Sequence, residues 1–142
     1  MKTSLQPGIR HVMQFTVPES KVVPALYPEA PEFQNMPRVF ATGFLVGLLE
    51  WACVQAVTPH LDAEELTVGT HIAISHEAAT PPGLEVTVTA ELTRREGRRL
   101  WFAVEAHDGI DRISGGQHQR VVVDAKRFVQ IAEGKKRPPG LI

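Results

Sequence analysis

Cysteine is nearly absent from this sequence, and neither sign of charge is in excess. Cys53 is the one cysteine among 142 residues, which excludes an intrachain disulfide and argues against a cysteine-based metal site. A reducing compartment, the cytoplasm, is the location we expect. Lysine and arginine number 15 against 16 aspartate and glutamate residues, for a net charge of −1. No overall positive field therefore points to nucleic acid or to an anionic membrane as a partner.

Long apolar runs and the common cofactor motifs are missing as well. The N-terminal stretch MKTSLQPGIRHVMQF has no uninterrupted apolar run of the kind that a signal peptide needs. There is no Walker A sequence, no GxGxxG and no GxSxG, and HEAAT at 76–80 has a threonine where the second histidine of HExxH would stand. The six histidines show no metal-ligand spacing. We therefore predict one domain over residues 1–142, without a membrane segment, a metal or a cofactor.

Proline, by contrast, is concentrated in one segment. Five of the 11 prolines lie between residues 18 and 37, a density that excludes a long helix or a central strand. The same segment carries valine, leucine, tyrosine, phenylalanine and methionine side chains, which is too apolar for a solvated linker. We predict a packed lid over about residues 18–39.

After the lid, the pattern predicts one helix and a sheet. Residues 43–58 contain no proline and are apolar on every side, which indicates a central helix with Thr42 as its N-cap. Such a helix must be covered on every side, by the sheet, the lid and a second subunit. Apolar residues alternate, as in half-buried strands, along the segments 9–17, 69–79, 84–92 and 99–106. DG at 108–109 marks a further hairpin, after which another strand runs to about Asp124. This favours an α+β fold in which an antiparallel meander curls around the helix, and the tail at about 133–142 is predicted to be frayed.

Glu50 lies in the middle of this apolar helix and is the first candidate for chemistry. Gly43 and Gly47 fall on its side of a helical wheel and leave room for a ligand or another backbone. The carboxylate is either the partner in a structural ion pair, since an unpaired buried charge is costly, or a general base or nucleophile in a cleft. His76 shares a predicted strand face with Ile72 and is therefore expected to point toward the helix and Glu50. A buried, hydrogen-bonded histidine is the simpler interpretation of that residue.

Thr42 stands at the N-terminus of the predicted helix, where free N–H groups can polarise a carbonyl. It is eight residues from Glu50, about 12 Å along a helix at 1.5 Å per residue. Two side chains that far apart are not expected to reach one atom. If both act at one centre, our hypothesis is a two-fold dimer in which Glu50 of one chain faces the helix N-terminus of the other. Two further features could bind an anionic ligand: the basic turn RREGRR at 94–99, and Arg120.

Four stretches that together span most of the chain carry a resemblance to a known family. They are LYPEAPEF at 26–33, FATGFLVGLLEWAC at 40–53, SHEAATPPGLEVTVTAEL at 75–92 and AHDGID at 106–111. The sequence resembles the hotdog-fold thioesterases and, within them, the fluoroacetyl-CoA thioesterase family. The resemblance implies a hotdog fold, a homodimer or higher assembly whose sheets join, and hydrolysis of a short acyl-CoA such as fluoroacetyl-CoA.

The same resemblance implies roles for individual residues. The catalytic set would be Thr42, Glu50 and His76. The substrate-binding positions would be Gly69, Arg120 and the lid residues Val23, Leu26, Phe33, Met36 and Val39. Met36 stands where the fluoroacetyl-specific enzyme has a gating phenylalanine, and methionine specifies shape poorly. Coenzyme A is part of the substrate, so no separate cofactor is implied. Two rival functions stay open: a hotdog enoyl-CoA hydratase or dehydratase, and a non-catalytic acyl-CoA-binding module.

Overall fold

Five antiparallel strands form a single sheet in the order β1-β3-β4-β5-β2. In the computed structural model, which describes residues 1–136, the strands are β1 (Arg10–Thr16), β2 (Glu65–Ile74), β3 (Glu85–Glu96), β4 (Arg99–His107) and β5 (Arg112–Asp124). Strands β3, β4 and β5 form the predicted meander. The prediction is wrong for β2, which pairs with β5 at the opposite edge from β1. The chain crosses the end of the sheet between β2 and β3, and Pro81 and Pro82, which have no N–H to donate, disfavour a tight hairpin there.

The central helix, α2 (Thr42–Val57), packs against the sheet over β1 and β3, with further contacts to β4 and β2. Its predicted extent is confirmed to within one residue. Thr42, however, is not the N-cap: the helix begins at Thr42, the preceding Ala41 is the cap, and no side chain caps the first turn. The threonine hydroxyl is therefore available for another partner.

The core lies between α2 and the inner face of the sheet. Successive strand residues alternate between the two faces, so one parity of each strand is buried. The helix contributes Leu45, Leu48, Leu49, Ala52, Cys53, Ala56 and Val57, and β3 and β4 contribute Val86, Val88, Ala90, Leu92, Leu100, Phe102, Val104 and Ala106. The predicted parity of these two strands is confirmed.

One side of α2 is left uncovered in the single chain. Trp51 is 49% exposed, and Gly43 and Gly47 are also exposed. The Glu50 side chain is 39% exposed, so the carboxylate predicted to be buried is only partly so within one chain. The lid reaches this face at one point, where Leu26 packs over Gly43.

The lid, residues 18–39, folds as short helical turns. They are two 3-10 turns, Glu19–Lys21 and Val23–Ala25, and the single-turn helix α1 (Pro31–Gln34). Proline stands in the first turn of α1, where no N–H is needed. A bridge between Val22 and Phe40 and the bond from Val23 N to Val39 O (3.0 Å) close the segment on itself.

A further helix that the sequence pattern did not predict, α3 (Ala125–Glu133), follows β5 directly. Asp124 is its N-cap, with a carboxylate oxygen accepting from Arg127 N. Residues 134–136 form a 3-10 turn instead of the frayed tail that was predicted, and the remainder of that prediction, 137–142, lies outside the described residues. No helix within residues 1–136 combines the length and apolar character needed to cross a membrane.

Candidate active site

Glu50 extends from α2 toward the β2–β5 pair, at the place where Gly69 is opposite Arg120 in the ladder. Arg120 Nη1 donates a hydrogen bond to Glu50 Oε1 at 3.0 Å. A Cβ added to Gly69 would lie only 2.6 Å from the same Glu50 oxygen. A glycine is therefore what allows the carboxylate to come this close to the backbone of β2.

Arg120 is itself buried, with 6% of its surface exposed. Its Nε donates to Thr67 Oγ1 at 2.8 Å and its Nη2 donates to Thr67 O at 2.9 Å. These bonds fix the orientation of the guanidinium group. A buried cation is tolerated in a core when hydrogen bonds and a carboxylate satisfy it in this way. The Nη1 edge is left pointing at Glu50.

His118 is the histidine next to Glu50, and the sequence analysis did not select it. Its Nδ1 lies 2.7 Å from His71 O; a carbonyl only accepts, so Nδ1 carries the proton. Its Nε2 then accepts from Arg120 Nη1 at 3.1 Å and lies 3.7 Å from Glu50 Oε1. Burial lowers the pKa of His118, and the neighbouring Arg120 charge lowers it further, so the ring is neutral at pH 7.

Within one chain, Glu50 therefore does not meet His76 as expected. His118 and Arg120 are two residues apart on β5 and share its inner face, and this parity was a signal that could have identified His118.

Cys53 lies one turn beyond Glu50 on α2, and burial raises its pKa to about 12. It is a protonated core thiol and not a nucleophile.

His76 lies outside the strand in which it was predicted, because β2 ends at Ile74. The segment that follows runs beside β5 through single backbone bonds, Ser75 N to Gly115 O at 3.0 Å and Glu77 N to Ile113 O at 2.7 Å. This path carries His76 to the start of α2, where its Nδ1 is 2.7 Å from Thr42 Oγ1. Burial lowers the pKa of His76. Its Nε2 is buried and has no hydrogen-bond partner within residues 1–136.

Two separate cavities contain these groups. Thr42 and His76 line one of about 310 Å³ together with Val23 and Val39 of the lid. Glu50 lines another of about 450 Å³. The latter is bounded also by Val46, Gly69, Thr70, His71, Ile72 and His118. Within one chain the structure thus brings Thr42 to His76 and Glu50 to Gly69 and Arg120, but it does not bring the two groups into one cavity.

The remaining lid residues with a predicted substrate contact pack elsewhere on the chain or are exposed. A Cβ on Gly43 would be 2.9 Å from Leu26 Cδ2, so Leu26 covers the first turn of α2. Phe33 packs on Tyr27 with ring centroids 6.0 Å apart, and Met36 is 47% exposed. As the described residues stand, none of these three lid side chains lines the cavity of Thr42 and His76.

The basic turn at 94–99 is engaged within the chain. The Arg94 and Arg99 guanidinium groups lie 4.4 Å and 5.4 Å from the ring centroid of Trp101. Arg95 Nη1 donates to Leu5 O at 2.8 Å, and Arg98 Nη1 is 3.5 Å from Glu65 Oε2. These contacts favour a structural turn over an anion site. The described residues also contain no group of three or more His, Cys, Asp or Glu side chains placed to hold a metal ion.

Known proteins match both the sequence and the fold. The sequence profile of the fluoroacetyl-CoA-specific thioesterase family matches residues 24–126. A fluoroacetyl-CoA thioesterase from Streptantibioticus cattleyicolor is 55% identical over 128 residues, which cover 90% of this chain and 92% of that protein. A variant of the fluoroacetyl-CoA-specific thioesterase solved with fluoroacetate and CoA is 55% identical, with a TM-score of 0.86 over 87% of this chain and 99% of that chain.

A more distant structure supports the fold alone. It is a hotdog-like protein from Thermanaerovibrio acidaminovorans, 20% identical, with a TM-score of 0.78 over 93% of each chain. The predicted hotdog α+β fold is therefore confirmed, and so is thioester hydrolysis as the activity of the relatives. The chain belongs to the fluoroacetyl-CoA-specific thioesterase family.

Proposed function

We propose that this protein hydrolyses short acyl-CoA thioesters, fluoroacetyl-CoA among them, with Thr42, Glu50 and His76 as its catalytic residues. The observation that carries the residue assignment is the buried Nε2 of His76, which has no hydrogen-bond partner within residues 1–136. The Nδ1 of the same ring contacts Thr42, 34 positions away along the chain. A buried polar atom without a partner is costly, and a bound substrate would supply one. The relatives named fluoroacetyl-CoA thioesterase support the substrate class.

The complete site is proposed to form between two protomers. Glu50 of one protomer would face Thr42 and His76 of the other, which would unite the two cavities. Two features support this arrangement. Strand β2 is at the sheet edge, with one row of backbone groups available for pairing, and α2 exposes Trp51 and its glycines beside Glu50.

Each group then has a chemical role. The first N–H groups of α2 have no partner within the helix and, together with the Thr42 hydroxyl, polarise the thioester carbonyl. Glu50 either attacks the carbonyl carbon, forming an anhydride that water then hydrolyses, or takes a proton from a water that attacks directly. The C–S bond breaks, and the proton given up by water reaches the CoA sulfur through His76 Nε2, so that thioester and water become acid and free thiol. Gly69 and Arg120 lie beside Glu50 and would contact the acyl group.

The acyl specificity depends on the lid. Val23 and Val39 already border the Thr42–His76 cavity, and closure of Leu26, Phe33 and Met36 over the acyl group would exclude water. Met36 replaces a rigid aromatic with a flexible side chain. We propose that fluoroacetyl-CoA is accepted with weaker discrimination against acetyl-CoA than a phenylalanine at this position would provide.

The direct test is thiol release from acetyl-, fluoroacetyl-, propionyl- and arylacetyl-CoA by wild type and Glu50→Gln. General-base or nucleophilic participation predicts a loss of about 10²–10⁴-fold for the variant. Unchanged turnover would remove Glu50 from the mechanism. Hydration of crotonyl-CoA without thiol release would instead indicate a hydratase, and tight binding without turnover would indicate a binding module.

The shared site has a separate test by complementation. Glu50→Gln and His76→Ala protomers, each inactive as homodimers, are unfolded together and refolded as an equal mixture. Random pairing makes half of the dimers mixed, and each mixed dimer holds one intact site, so about a quarter of wild-type activity should return. If both groups act from the same chain, no activity returns.

A cytoplasmic location and independence from cofactors also belong to this proposal. Full turnover after dialysis against a chelator is the expected result.

A further inference from the structure

Three buried polar side chains surround the segment that carries His76 without entering either cavity. Thr80 and Ser114 are 0% exposed and Asp108 is 5% exposed. A buried hydroxyl or carboxylate is retained only where its hydrogen bonds offset the cost of losing water. The partners of these groups therefore indicate what the burial achieves.

Asp108 is a buried carboxylate bonded to N–H and O–H groups. Its Oδ1 accepts from Ile110 N at 2.9 Å and Asp111 N at 2.8 Å, which closes the connection between β4 and β5. Its Oδ2 accepts from Thr80 Oγ1 at 2.8 Å. The first two bonds are sufficient to cap the loop, so the bond to Thr80 is an additional link to a different segment.

Thr80 continues that link toward the start of α2. Its carbonyl accepts from Phe40 N at 2.8 Å, and Phe40 is two residues before Thr42. Thr80 is also four residues after His76. Thr80 therefore links the residues just before Thr42 to the segment that contains His76. On the N-terminal side of His76, Ser114 Oγ donates a hydrogen bond to Ser75 O at 2.8 Å.

We propose that Asp108 and Thr80, here called the Asp108–Thr80 clamp, are positioning residues that set the spacing between Thr42 and His76. The two catalytic side chains belong to segments with no regular pairing to each other, and the clamp fixes both from outside the cavity. This inference rests on the proposed function, because it assigns the clamp a purpose only if Thr42 and His76 act in catalysis.

The test compares two threonine-to-valine variants. Thr80→Val removes the donor to Asp108 and keeps the side-chain shape, whereas Thr93→Val makes the same change at an exposed hydroxyl that donates to Trp101 O. Misplacement of a reacting group by up to 1 Å costs as much as about 100-fold. We expect Thr80→Val to lower kcat by about 10- to 100-fold with KM within about threefold of wild type.

Thr80→Ser restores the hydroxyl and is expected to recover kcat to within about threefold of wild type, since it keeps the bond that defines the geometry. Thr93→Val is expected to match wild type. All rates are measured per folded protein, with the unfolding midpoint of each variant determined in parallel. Should Thr80→Val fail to fold, Thr80→Ala carries the same comparison, because it also removes the donor to Asp108 and adds no bulk.

A lowered unfolding midpoint with unchanged kcat in Thr80→Val, or in Thr80→Ala, would overturn the clamp and leave a purely structural role. The proposed function fails differently. Thr42→Val and His76→Ala would then retain wild-type turnover, whatever the behaviour of Thr80→Val. Loss of turnover in those two variants with full turnover in Thr80→Val would reject the clamp alone.

Discussion

Gly69→Ala offers a sharp test of the Glu50 environment, because the added methyl group would collide with a single functional atom. The new Cβ would lie 2.6 Å from Glu50 Oε1, while its next neighbours, His118 Cε1 and Arg120 Nη1, are at 3.3 and 3.4 Å. Ordinary contact begins near 3.4 Å, so the carboxylate oxygen must retreat by about 0.8 Å, and its 3.0 Å bond to Arg120 must change with it.

A displacement of that size at the attacking group is expected to lower kcat about 100-fold, equivalent to about 2.7 kcal/mol of transition-state stabilisation. The folded state should be affected far less. Alanine is favoured over glycine in a strand interior by roughly 0.5–1 kcal/mol, which offsets the weakened contact to the partly exposed Glu50. We expect the free energy of unfolding to stay within about 1 kcal/mol of wild type.

The assay is thiol release from fluoroacetyl-CoA and acetyl-CoA, with urea unfolding of the same preparations. Gly134→Ala is the control, since a Cβ there meets no heavy atom of residues 1–136 within 4 Å. Glu50→Asp withdraws the carboxylate, so Gly69→Ala should cost little further activity in that background. The steric argument would be refuted if Gly69→Ala lowered kcat by the same factor in wild type and in the Glu50→Asp variant. Wild-type turnover in Gly69→Ala alone would refute it as well.

Three further predictions follow from burial and from the lid. Burial lowers the pKa of His76 below its ordinary 6.5, so the neutral ring persists to lower pH; kcat/KM should keep more than half of its plateau value at pH 6.5, and a midpoint above 6.5 would contradict the assignment. Burial lowers the pKa of His118 as well. The unfolded chain therefore binds protons that the native chain does not, and the free energy of unfolding should fall from pH 7 to pH 5.5; urea titrations should show a smaller fall for His118→Gln. Met36→Phe should raise the fluoroacetyl-to-acetyl ratio of kcat/KM by about 10-fold or less, with Met36→Leu as the size control, and an unchanged ratio would count against the lid argument.

The local pattern was sufficient for the elements that depend on neighbours in sequence. Residues 43–58 predicted α2 to within one residue because no proline interrupts them. The alternation over 84–92 and 99–106 predicted β3 and β4, since burial of one face requires a period of two. Helix α3 was overlooked, although Asp124 as its N-cap was a readable signal.

Long-range pairing was not predictable in the same way. A strand pattern shows which residues share a face but not which strand lies beside them. The placement of β2 next to β5 is what puts Gly69 opposite Arg120 and brings His118 to Glu50. The end of β2 at Ile74 likewise releases His76 from the strand and lets it reach Thr42.

The sequence by itself determined that an apolar helix carries a lone carboxylate, that threonine stands at its start, and that a proline-rich lid precedes it. These follow from residue identity and local spacing. Only the tertiary structure decided which partners those groups have: His118 and Arg120 for Glu50, and His76 for Thr42. The reason is physical, because hydrogen bonds between distant segments depend on strand order and register, which no local periodicity encodes.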